Sequence, residues 1–110
     1  MTDFLQVSTA TETRQQAVEL ARSVVRERLS AGAQIVGPAT SVFWHLGEFG
    51  EGEEWQLLLK TSFERYPALE AHLLEHHPWD NPEVAAVPIA AGAERCLQWI
   101  SESVTPDQPA

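Results

Sequence analysis

Three of the four histidines of this sequence lie in or just before one short stretch, HHPWDNPEV, His76 to Val84. His72 and His76 stand four residues apart, so on a helix their imidazoles share a face and could clip a divalent ion. Two donors do not close a coordination shell, and HLLEH lacks the glutamate placement of a zinc-protease HExxH. A pair of solvated helix histidines is the plainer alternative. His77 follows at the expected helix end, where an imidazolium gains from the helix dipole, and Glu83 lies just beyond a Pro-Trp corner. Pro78, Trp79 and Pro82 stiffen that corner, so His77 and Glu83 serve either a ligand pocket or backbone and intersubunit groups. Lys60, with Thr61 beside it, leaves a strand where its ammonium could hold an anion or a structural carboxylate. Cys96 has apolar neighbours in Leu97 and Ile100, a setting that suits a small core or interface residue better than a nucleophile. The sequence carries no GxSxG, P-loop or paired-carboxylate motif, and no enzyme is expected.

The elements that position these groups can be read from periodicity. Asp3 to Thr9 alternates, with Leu5, Val7 and Thr9 on one side, as a strand does. Ala17, Leu20, Ala21, Val24, Val25 and Leu29 follow at helical spacing, with Thr13 and Gln16 offering a capping box and Gly32 a stop. Ala33 to Leu46 reads as a long strand with an irregular start at Gly37-Pro38, and GEFGEGEE as the turn after it. Trp55 to Thr61 is the expected return strand. Its two faces, Trp55-Leu57-Leu59-Thr61 and Gln56-Leu58-Lys60, both carry leucine, so a sheet covered by helices on one side needs a second cover, such as another subunit. Pro67 opens a second helix carrying Leu69 and Leu73, and Pro78 ends it near His77. Val84 to Ile89 is a short strand kept to an edge by Pro88, and Ala93 to Val104 is a terminal amphipathic helix.

Strand, helix, strand, strand, helix, strand plus a last helix is the α+β, ferredoxin-like split βαββαβ pattern. At 110 residues it forms a single domain over 1–104 with a loose tail at 105–110. Sixteen acids against 7 basic residues give a formal charge of −9, which repels phosphate backbones and anionic lipid surfaces, so no nucleic acid or membrane partner is expected. EEWQLLLK also lacks the aromatic and basic pattern of an RNA-reading sheet. One cysteine, Cys96, rules out an internal disulfide, and the N-terminus lacks signal-peptide character; both point to the cytoplasm.

Over nearly its whole length the chain resembles the CutA family of divalent-cation tolerance proteins. The likeness is carried by VST before a long helix ending in Glu27-Arg28-Leu29, by Ser41-Val42-Phe43 and Gly47-Glu48 around the hairpin, and by LLLKT. Beyond these, Tyr66, Leu69 and Leu73 precede His77-Pro78-Trp79 and Pro82-Glu83-Val84, with tryptophan at Trp79 where the family usually has tyrosine, and LQWISESV carries Trp99. The resemblance implies a cytoplasmic homotrimer, sheets packed about a threefold axis, linked to tolerance of copper and other divalent metals. It also implies an intersubunit ligand cleft near Lys60, His77, Trp79 and Glu83. The chain departs from the family at Gly32, where some members have cysteine, at Gln34 in place of asparagine, and at Phe43-Trp44-His45. Sulfur ligands then reduce to Cys96 and Met1, so Cu(II) or another divalent cation would rest on nitrogen and oxygen, with His72, His76 and His77 as candidate donors. The expected role is buffering or sensing without turnover. The alternatives are small-molecule signalling like that of the PII regulators, with a small anion beside Lys60, and a purely structural trimeric scaffold. PII proteins use a long mobile loop between the second and third strands, where this chain has only about Gly47 to Glu54.

Overall fold

The computed structural model describes residues 3–106. Its elements are β1 (Phe4–Thr11), α1 (Arg14–Arg26), β2 (Ala33–His45), β3 (Glu48–Ser62), α2 (Tyr66–His76), β4 (Ala85–Pro88) and α3 (Glu94–Ser103). All pairings are antiparallel, in the order β2-β3-β1-β4, so β3 inserts between β1 and β2 as the split β-α-β pattern requires. Strand alternation places Leu5, Val7, Leu57 and Leu59 on one face. They are buried there with Ala17, Leu20, Ala21 and Val24 of α1 and Leu69 and Leu73 of α2, in one cluster. Ile100 and Val104 are also buried, outside that cluster. On the opposite sheet face Gln6, Leu58 and Lys60 are half-buried and Gln56 is exposed, so one leucine of the suspected second face is only partly covered. Pro88 does sit on an edge strand. No helix among the described residues is long and apolar enough to cross a membrane.

Helix α1 starts at the expected capping box: the Gln16 amide donates to Thr13 Oγ1 at 3.1 Å, and the Thr13 amide donates to Gln16 Oε1 at 3.2 Å. Its end differs from the expected stop at Gly32. The helix closes at Glu27, and Arg28 takes the left-handed conformation, φ 57°. The Arg65 side chain donates to the Arg28 and Glu27 carbonyls, supplying from a distant loop the partners that α1's last turn lacks.

The hairpin also departs from its expected form. GEFGEGEE is strand, not loop: pairing runs out to His45–Glu48, and only Leu46 and Gly47 turn the chain, both at positive φ. The irregular start of β2 is present as a register shift between Val36 and Ala39, spanning a cis Gly37-Pro38 bond. Gly50 of that stretch, and Gly37 at the irregular start of β2, are sites of close aromatic approach. A Cβ on Gly50 would meet the Phe43 ring at 2.7 Å, and one on Gly37 the Trp55 ring at 2.7 Å. Of the expected tail at 105–110, Thr105 bonds back to the Ser101 carbonyl and residues 107–110 lie outside the described residues, as does Met1.

Candidate functional site

The end of α2 meets the end of β1 through His77. Its backbone amide closes the helix on the Leu73 carbonyl at 2.9 Å, and the chain then turns extended at ψ 139°. The ring swings onto β1, with Nε2 2.7 Å from the Ala10 carbonyl and Nδ1 3.0 Å from the Trp79 amide. A carbonyl only accepts and an amide N–H only donates, so Nε2 carries the proton and Nδ1 the lone pair: His77 is neutral, with both nitrogens engaged. Burial pushes its pKa down, only partly countered by the Ala10 bond. The Trp79 ring leans on it at 5.1 Å between centroids. Glu83 is exposed beyond buried Pro82, and no hydrogen bond joins it to His77 among the described residues.

Lys60 lies elsewhere in the chain. Its backbone is held by Ser30, almost fully buried, whose hydroxyl oxygen accepts from the Lys60 amide at 3.1 Å while its own proton goes to the nearer Gly32 carbonyl at 2.6 Å. Lys60 pairs with Gln6, whereas Ala10, which holds His77, pairs with Gln56. Four strand residues separate the two positions, roughly 13 Å. One chain therefore does not gather Lys60, His77, Trp79 and Glu83 around a common point. Two open depressions, one lined by Pro38, Thr40, Glu51 and Glu53 and the other by Arg22, Val25, Arg26 and Gly32, contain none of the four.

His72 and His76 do meet. Their rings stack on α2 at 4.1 Å between centroids and 24° from parallel. His72 Nε2 lies 2.9 Å from Ser23 Oγ on α1, and His76 Nδ1 lies 2.9 Å from the His72 carbonyl. Burial lowers the pKa of His72, and His76 adds to the effect, while Glu27 and Glu75 pull the other way. His77, turned toward β1, is not part of this pair, and among the described residues no three His, Cys, Asp or Glu side chains converge as a metal cage. Cys96 is exposed on α3 and is not a core residue of this chain.

Some polar partners were not foreseen. Ser23 is one, and only its place on the outer flank of α1 hints at it. Tyr66 is another: its hydroxyl donates to Glu70 Oε2 at 2.7 Å, and that bond with burial and the carboxylate charge pushes the phenol up to about 12. The spacing of four on a helix would have shown that pair.

Fold and site define a split β-α-β sandwich with a projecting hairpin, whose titratable groups sit at an element junction and on a helix flank. The family described as CutA1 divalent ion tolerance protein matches residues 5–103. The Divalent-cation tolerance protein CutA of Thermus thermophilus is 38% identical over 84 residues, 76% of this chain and 82% of that one. Among solved structures, the T. thermophilus divalent cation tolerance protein superposes with a TM-score of 0.89 at 33% identity, covering 93% of this chain and 99% of that one. CutA1 from Oryza sativa gives 0.90 at 31% identity, covering 94% and 95%. The chain belongs to the CutA family of divalent-cation tolerance proteins, which is not a known enzyme family.

Proposed function

We propose that this protein acts as a cytoplasmic homotrimer that binds copper or another divalent cation and buffers or senses it without turnover. What carries the reading is the family match across residues 5–103, on a fold that solved relatives share. The chain's own surface supports assembly: Val42, Trp44, Leu46 and Phe49 on the hairpin are exposed by 56%, 75%, 91% and 63%, a contiguous apolar patch of the kind that marks a protein contact. Copper leads the affinity order for nitrogen and oxygen donors. In such an assembly Lys60, Trp79 and Glu83 would line a cleft between chains, with His77 fixing its corner. A PII-like nucleotide role has less support, since a two-residue turn joins β2 to β3 where a loop would have to order around the ligand.

Light scattering should give three times the 12.2 kDa chain mass, and calorimetry with Cu(II) at neutral pH a saturable isotherm that weakens as imidazoles protonate. A stable 12.2 kDa species at micromolar concentration would remove the assembly, and a flat titration at neutral pH would remove the cation role.

A further inference from the structure

The hydrogen bonds around the His72–His76 stack fix which nitrogens are bare. Ser23 Oγ spends its one proton on the Leu20 carbonyl at 2.9 Å, so toward His72 Nε2, at the same distance, it offers only lone pairs. The neutral form of His72 is therefore protonated at Nε2 and bare at Nδ1. The His72 carbonyl can only accept, so the neutral form of His76 carries its proton at Nδ1 and its lone pair at Nε2. In their neutral forms the two imidazoles thus lie side by side on the outer flank of α2, each with one lone pair that no described group takes up.

Resting on the cation-binding reading above, we infer that His72 Nδ1 and His76 Nε2 form a surface site for one divalent cation of the Cu(II), Ni(II) or Zn(II) type. It opens when the stack does. Imidazole lone pairs lie in the ring plane, and planes only 24° from parallel at 4.1 Å do not meet within bonding reach of both nitrogens. One ring must turn. His76 is exposed and, apart from the stack itself, held at its ring among the described residues only by the His72 carbonyl bond, so it is the movable jaw; His72, anchored to α1 through Ser23, is the fixed one. Water completes the shell, since no third protein ligand converges there. Glu27 and Glu75 act on His72 electrostatically and make the flank attractive to a cation. The site lies apart from the His77 corner, both of whose nitrogens are already used.

The test is a Cu(II) sulfate titration of the full assembled protein by calorimetry, alongside His72→Gln, His76→Gln and a control variant of an exposed α3 carboxylate, Glu102→Gln. One ion per chain is expected, weakened about tenfold or more by either histidine substitution and unchanged by Glu102→Gln. In the wild-type protein, substoichiometric Cu(II) should broaden the imidazole resonances of His72 and His76 before those of His45 and His77, a readout that needs no variant. Cu(II) bound equally well by a His72→Gln/His76→Gln double variant overturns this site while leaving the cation-binding reading intact. No Cu(II) bound by the wild type overturns both.

Discussion

Neutral His77 accepts from the Trp79 amide and donates to the Ala10 carbonyl, and a protonated ring cannot do the first. Its folded-state pKa is depressed below 6.5 by burial, so the unfolded chain binds the proton more readily than the folded one. Stability from this residue is therefore complete above the unfolded value, and it is lost as pH falls below 6.5 toward the folded pKa. Denaturant unfolding followed from pH 7.5 down to about 5 should show that decline. His72 shifts in the same direction, so the attribution needs a variant. His77→Gln should flatten most of the slope and cost about 1–3 kcal/mol at neutral pH through its lost buried bonds. An unchanged slope in that variant would assign the pH response elsewhere. The sequence places His77 in a rigid corner but says nothing of Ala10, 67 residues away, and that partner turns a candidate metal donor into a structural one.

At the scale of elements, legibility follows the range of the interaction. The start of α1 could be read directly, because the Thr13–Gln16 box is contained within one turn. Thr13→Ala should cost about 1 kcal/mol in thermal or denaturant unfolding. A change below a few tenths would mean that solvent replaces the cap without loss. The end of α1 could not be read, because its partner, the Arg65 guanidinium, comes from the loop before α2. The hairpin misleads for a related reason. Glycine and glutamate in GEFGEGEE argue locally for a turn, yet Gly50 is tolerated in β3 because the Phe43 ring across the ladder fills the space a side chain would take. The strand periods of β1 and inner β3 and the stripe of α1 were legible because burial on one face imposes them. Likewise, the spacing of His72 and His76 foretold a shared face but neither the stack nor the Ser23 bond.

For the whole molecule, the arm of β2 and β3 is what a lone chain explains least well. The described residues extend over 48 × 32 × 22 Å, an elongated shape for this length. Trp44 and Phe49 pair across the arm, ring centroids 5.9 Å apart, and Leu46 turns its tip at φ 51°, a conformation unfavourable for leucine. Asparagine would suit that turn better, so an apolar side chain there argues for a contact. Burying the two rings against another chain is worth on the order of a few kcal/mol per chain, and closed symmetry repeats the gain at every interface. If the chain assembles as proposed, Trp44→Ser/Phe49→Ser should shift the light-scattering mass from the proposed three chains toward the 12.2 kDa monomer at micromolar concentration. The sheet of each chain should stay folded, since both side chains lie outside the core cluster. A variant that keeps the full assembly mass would show that the arm's apolar surface is not what joins the chains. The half-covered sheet face bearing Leu58 would then be the surface to test next.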